Sequence, residues 1–223
     1  MRAMILAAGR GERLRPLTDR LPKPMAPIGG RPLLAHQLEW LARAGFTEVV
    51  INLHHLGHLI EQAFGDGRGF GVRIIYSREA EKLETGGGIA QALPHLGAAP
   101  FLVLNGDIYT DFPLARLHDA LPADADAHLV LTPTPAQRDR GDFDWSKGRV
   151  TARGTRYVYC GIAVLRPELF VGRPVAPFSL RDLLFDAQER DRLSGEIWEG
   201  YWTDIGTARE LAAVDAVVRQ AGN

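Results

Sequence analysis

The sequence predicts an α/β protein of Rossmann-like, three-layer α/β/α build with a mostly parallel central sheet. Three observations carry this: short apolar runs without alternation, helical periodicities between them, and a strand-helix-strand rhythm sustained through the first half of the chain. An unalternating run suits a strand covered on both faces, and parallel neighbours need right-handed crossovers.

Ala3-Met4-Ile5-Leu6-Ala7-Ala8, stopped by Gly9, is the first strand. After a polar, Arg- and Pro-rich loop, Leu33, Leu34, Leu38 and Leu41 fall at helical spacing, and Gly45 ends that helix. Val49 to Leu53 is a second buried strand, His55 to Phe64 a helix and Val72 to Tyr76 a third strand. Gly88 to Leu93 opens another helix, and Phe101 to Leu104 is a fourth strand. The second half changes character. Leu129 to Leu131 reads as a strand, Gly141 to Val150 as polar and turn-rich, and Tyr157 to Leu165 as a strand interrupted by Gly161. Together they predict a smaller, partly antiparallel lobe over the sheet's edge. Helices at Ser179 to Glu189 and Thr207 to Arg219 flank a short strand near Trp198 to Trp202.

Composition narrows the function. With 26 basic residues against 27 acidic ones, the formal charge of -1 argues against a nucleic-acid surface, so any anion must be held locally. A chain of 223 residues buries about 70% of its unfolded surface and needs no disulfide for its core; the single cysteine, Cys160, sits in an apolar strand as a small core residue. No export-signal pattern and no apolar run long enough to span a bilayer is present, so no membrane partner and a cytoplasmic location are expected. Arg outnumbers Lys by 23 to 3, which singles out Lys23, Lys82 and Lys147.

The strongest motif runs from Leu6 to Thr18, with Gly9, Gly11, Arg13 and Arg15, and is followed by Pro22-Lys23-Pro24. Two glycines directly after a buried strand let successive amides turn toward one anion. Arg13 and Arg15 add forked donors, and Lys23 a flexible point charge. Two commoner glycine-rich loops are excluded: the dinucleotide fingerprint needs Gly where Leu14 stands and an acid where Asn52 stands, and a Walker A loop needs a Gly-Lys pair that this chain lacks.

Phe101-Leu102-Val103-Leu104-Asn105-Gly106-Asp107 ends an apolar strand on a carboxylate, at the end that faces the ligand crevice in open α/β sheets. Tyr201-Trp202-Thr203-Asp204-Ile205-Gly206-Thr207 places a second carboxylate before a helix. Asp107 and Asp204 suit magnesium, which takes one or two carboxylates plus phosphates and water, although each Asp taken singly is more often a turn or N-cap residue. In Leu83-Glu84-Thr85-Gly86-Gly87-Gly88, a triple glycine entering a helix predicts a flat wall against which a planar base can lie. His54 and His58, four apart, read as structural or surface residues without a third ligand. Trp198 and Trp202 are either core or pocket.

Taken in order, these stretches resemble the sugar-1-phosphate nucleotidyltransferases almost end to end, at Gly9, Gly11, Arg13, Pro16, Leu17, Thr18 and Lys23, at Asn105-Gly106-Asp107, and at Trp202 to Thr207. The resemblance implies Mg2+ on Asp107 and Asp204, Arg13 and Lys23 on the phosphates, nucleotide contacts at Ala8, Gly9, Gly11, Thr85, Gly86, Gly88 and Asn105, and a sugar pocket lined by Gly141 and Gly161. It divides a single domain, 1–223, into a nucleotide core over about 1–135, a sugar lobe over about 136–205 and a terminal helix. The partners implied are a nucleoside triphosphate and a sugar 1-phosphate, with the chain a monomer or small homo-oligomer. Leu83 to Gly88 and Gly141-Asp142-Phe143 look most like the N-acetylmuramate-1-phosphate uridylyltransferases of cell-wall sugar recycling, which use UTP. The alternatives are a mannose-1-phosphate guanylyltransferase, another hexose-1-phosphate enzyme or a non-catalytic nucleotide-sugar binding subunit. Two departures stand out: Glu84 where many members have Gly, and no Glu-Lys-Pro motif between Gly141 and Gly161.

Overall fold

The computed structural model describes residues 1–136 and 138–221. Its strands are β1 (Ala3–Leu6), β2 (Pro27–Ile28), β3 (Arg31–Pro32), β4 (Glu48–Leu53), β5 (Arg73–Arg78), β6 (Phe101–Asn105), β7 (Ile108–Thr110), β8 (Ala127–Pro133), β9 (Phe143–Ser146), β10 (Arg149–Arg153), β11 (Tyr157–Leu165), β12 (Leu193–Ile197) and β13 (Trp202–Asp204). The helices are α1 (Leu33–Arg43), α2 (Gly57–Phe64), α3 (Glu84–Leu96), α4 (Leu180–Glu189) and α5 (Ala208–Ala221).

Nine strands form one sheet in the order β5-β4-β1-β6-β11-β8-β12-β10-β9. The first four are mutually parallel, as the buried apolar runs require, and their carboxyl ends define one edge on which the first motif lies. One face is covered by α1 and α2, whose Leu34, Leu38, Leu41, Ile60 and Phe64 pack on Ile5, Ile51 and Leu104. The other face is covered by α3 and α4 through Ile89, Leu180, Leu183 and Leu184. Each fully buried leucine in these layers contributes about 2 kcal/mol of transfer free energy.

The second half corrects the expectation of a lobe over the edge, because its strands extend the same sheet. β11 runs antiparallel to β6 and β8, and β12 lies parallel to β8. β9 and β10, read from sequence as turn-rich, form a hairpin over part of Phe143 to Arg153; Phe143 is fully buried, and Tyr157 of β11 pairs with it, so the far end of the sheet folds back on itself. Polar residues dominate this hairpin because only one face is covered, which hides its alternation among charged side chains. The short strand expected near Trp198 to Trp202 is likewise two strands, β12 and β13, with the loop between them.

Candidate active site

A cavity of about 350 Å³ opens at the carboxyl ends of β1 and β6. That is within the size range of small-molecule sites, about 300–1,000 Å³. Ala8, Gly9, Gly11, Lys23, Lys82, Glu84, Thr85, Asn105, Asp107 and Ser179 are among the residues that line it. Gly11 turns the chain in the left-handed region at φ +62°, and a Cβ there would fall 2.9 Å from Thr18 Cγ2. The Thr18 hydroxyl donates to the Gly11 carbonyl at 2.8 Å, closing the loop on itself. Lys23 then reaches back across the floor, with Nζ 2.5 Å from Asp107 Oδ2.

The backbones of Asp107 and Asp204 are brought together by a ribbon outside the main sheet, although Asp204 does not line the cavity. β7 pairs antiparallel with β13, placing Asp204 opposite Ile108, next to Asp107. The Asp204 carboxylate is held by Arg138, Nη2 to Oδ2 2.6 Å, and that guanidinium also lies 5.5 Å from the Trp202 ring centroid. Each carboxylate therefore already attracts a cationic group. No group of three His, Cys, Asp or Glu able to hold a metal occurs among the described residues, but a pair of carboxylates is the donor set that fits a hard divalent cation whose shell phosphate and water complete.

Other predicted residues fall elsewhere. Arg13 is exposed and lies against Gly206, where a Cβ would approach Nη2 to 2.6 Å; it adjoins the Asp204 motif and does not line the cavity. Gly86 and Gly88 do not line the cavity. Both are buried inside the first turns of α3, with the Gly86 amide donating to the Phe178 carbonyl at 2.9 Å and a Cβ on Gly88 falling 2.6 Å from Glu79 Oε1. Three helical glycines cost a helix about 3 kcal/mol relative to alanines, and here they are kept for close approach of the 176–178 segment and of Glu79. Only the preceding Lys82, Glu84 and Thr85 face the ligand space. Glu84 adopts φ +59°, a left-handed conformation, which accounts for the glycine that many members of the family have there.

Gly141 and Gly161 also act through their neighbours. The Gly141 amide donates to the Thr155 carbonyl at 3.0 Å, and a Cβ there would meet Thr134 Oγ1 at 2.6 Å. Gly161, at φ +74°, sits in the bulge of β11, 2.6 Å from Asn105 Nδ2 by the same construction. Neither glycine lines this cavity, whereas Asn105 does, and Asp142 lines a smaller one that adjoins it. His54 precedes α2 and faces the Glu79 carbonyl at 3.2 Å, so it shares no helix face with exposed His58. Trp202 supports the site, donating to the Cys160 carbonyl at 2.8 Å, while Trp198 donates to Asp111 at 3.0 Å and packs edge-on against Phe112.

Sequence reasoning missed the hydrogen-bond chain beneath the cavity. Asn52 Oδ1 accepts from the Ala7 amide at 2.8 Å, Asn52 Nδ2 donates to Glu79 Oε1 at 2.7 Å, and Glu79 Oε2 accepts from the Leu83 amide at 3.1 Å. These buried groups tie the ends of β1 and β4 to the start of α3, and Asn52 lines the cavity. Its place at the carboxyl end of a parallel strand was the available signal. Arg138 carried none, since nothing local marks it as the partner of a residue so far along the chain.

Comparison with known proteins agrees with this geometry. Residues 2–143 match the sequence model of the Nucleotidyl transferase family. The chain is 45% identical over 226 aligned positions to an N-acetylmuramate alpha-1-phosphate uridylyltransferase of Neisseria meningitidis serogroup B, covering 97% of this chain and 98% of the relative. It is 34% identical to the Caulobacter vibrioides protein of the same name, covering 98% and 97%. A mannose-1-phosphate guanyltransferase of Aspergillus fumigatus is 32% identical, over 95% of this chain but 62% of its own length. In three dimensions the chain superimposes on a Bacillus anthracis protein crystallised with sucrose at a TM-score of 0.87 and 21% identity, covering 98% of this chain and 95% of that one. It superimposes on HddC of Yersinia pseudotuberculosis complexed with GMP-PN at 0.81 and 23%, covering 99% of each. With its glycine turn and the Lys23–Asp107 pair set in that fold, the chain belongs to the nucleotidyl transferase family.

Proposed function

We propose that this protein condenses UTP with N-acetylmuramate 1-phosphate, giving UDP-N-acetylmuramate and pyrophosphate, within cell-wall sugar recycling in the cytoplasm. The observation that carries the reaction class is the meeting of the Gly9 to Gly11 turn, Lys23 and Asp107 in one cavity, with Asp204 beside it. The choice of UTP and N-acetylmuramate is supported by the two relatives of that name aligned over nearly their full length.

In the proposed step a phosphate oxygen of the sugar phosphate forms a bond to the α-phosphorus of UTP. The bond from that phosphorus to the bridging oxygen breaks, and its electron pair leaves with pyrophosphate. A phosphate monoester is already ionised near neutral pH, so no general base is needed, and catalysis is positioning plus charge stabilisation. The backbone at Ala8, Gly9 and Gly11 cradles the triphosphate, Arg13 draws the departing pyrophosphate, and Lys23 bridges the two reacting phosphates. Asp107 and Asp204 would hold magnesium, which when bound offsets charge on the transferring group. Thr85 and Lys82 flank the base, Asn105 orients the nucleotide, and residues 136–205 carry most of the sugar side.

The test is pyrophosphate release with magnesium, across UTP, GTP, CTP, dTTP and ATP, each paired with the 1-phosphates of N-acetylmuramate, N-acetylglucosamine, glucose and mannose. Highest turnover is expected with UTP and N-acetylmuramate 1-phosphate. A preference for GTP with mannose 1-phosphate would keep the mechanism and overturn the substrate, and silence from every pair would leave a binding subunit without catalysis.

A further inference from the structure

A second cavity, of about 220 Å³, adjoins the first through the shared residues Thr85, Asn105 and Ser179. Its far wall carries Asp142, Tyr159 and Arg181, and Arg181 is its one cationic lining residue among the described residues. The Arg181 side chain is 63% exposed, and its Nη2 is 3.4 Å from Asp142 Oδ1, the edge of ion-pair range. Most of the five guanidinium donors are therefore free. Asp142 is fixed independently, because its Oδ2 accepts from the Tyr159 amide at 3.1 Å and its own amide donates to the Tyr157 carbonyl at 2.7 Å.

The Tyr159 hydroxyl is buried and has no hydrogen-bond partner among the described residues. Leaving such a group unpaired costs about 1–3 kcal/mol, and the Tyr159 ring stands as a packed wall behind the cavity. Burial pushes its pKa far up, so it remains a donor throughout the physiological range. Arg181 also stands in the first turn of α4, at the positive end of a ten-residue helix.

N-acetylmuramate differs from N-acetylglucosamine by an ether-linked lactate, so the two sugars are told apart by one carboxylate. We propose that Arg181 is the specificity residue that pairs with this carboxylate, while Asp142 takes a hydroxyl of the sugar ring. The proposal rests on the uridylyl-transfer reading above. Of the other basic residues lining the two cavities, Lys23 is paired with Asp107, and Lys82 lines the first cavity but not the second.

The experiment compares kcat/KM for wild type, Arg181→Gln and Arg181→Lys, with UTP and either N-acetylmuramate 1-phosphate or N-acetylglucosamine 1-phosphate. Losing a charge-assisted contact to a carboxylate should lower the value for N-acetylmuramate 1-phosphate roughly 10- to 100-fold in Arg181→Gln, mainly through KM, with Arg181→Lys intermediate. The value for N-acetylglucosamine 1-phosphate should change less than about 2-fold, since that sugar offers no partner for the lost charge. Equal losses on both sugars would assign Arg181 a structural role and overturn the proposal, as would a wild-type preference that both variants keep. A wild type without preference for the acidic sugar would overturn the substrate reading and the proposal together.

Discussion

The backbone amide of Ile205 donates to the carbonyl of Asp107 at 2.7 Å, one step beyond the pairing of Asp204 with Ile108. This bond makes the two acids diagonal neighbours across the ribbon, with their carboxylates held by different cations, Asp107 by Lys23 and Asp204 by Arg138.

If both acids serve one divalent ion, Asp107→Asn and Asp204→Asn should each reduce turnover at limiting magnesium by about 10²- to 10³-fold, the usual cost of removing one charge-stabilising group. Part of that loss should return at high magnesium. Initial rates over a magnesium titration measure it, and near-normal turnover at limiting metal would remove these acids from the metal site.

Lys23→Ala should lower kcat by an amount worth about 3 kcal/mol of transition-state stabilisation. Lys23→Arg should rescue it poorly, because a planar fork cannot follow a phosphoryl group as a point charge does. A change confined to KM in steady-state kinetics would instead mean that Lys23 binds ground and transition states equally.

Backbone conformation yields two opposed expectations. Gly161→Ala places a Cβ 2.6 Å from Asn105 Nδ2 in a left-handed residue, and should destabilise the protein by about 1–3 kcal/mol while displacing Asn105. Glu84→Gly, at φ +59°, should leave stability unchanged or raise it by up to about 1 kcal/mol. Urea unfolding midpoints of the two variants check both signs.

Cys160 is fully buried, and that burial pushes its thiol pKa well above the usual value. Since the thiolate is the reactive form, the folded protein should resist aromatic disulfide reagents even near pH 9, and release one thiol equivalent only on denaturation. Rapid native-state modification whose rate levels off near about pH 9 would show the opposite.

The parallel half of the sheet was legible because each strand is a bare apolar run with its own stop signal, as with Ala3 to Leu6 before Gly9. The phosphate loop was legible because its residues are contiguous. The β9–β10 hairpin was hidden because Asp144, Lys147, Arg149 and Arg153 mask a single buried face anchored by Phe143 and Val150. The triple glycine was legible as unusual but not as packing, because what it accommodates, the 176–178 segment, lies far along the chain. Arg138 and Arg181 were unreadable for a related reason: their partners, Asp204 and Asp142, are local to neither.

The β7–β13 ribbon also imposes an order on the birth of the site. During synthesis the glycine turn, Lys23 and Asp107 leave the ribosome first, and the second acid follows only after the intervening strands, when β13 can pair beside β7. On the reading given above, a nascent chain that stops before Trp202 carries the glycine turn and Lys23 with one of the two acids, and chemistry is withheld until β13 has been made and has paired.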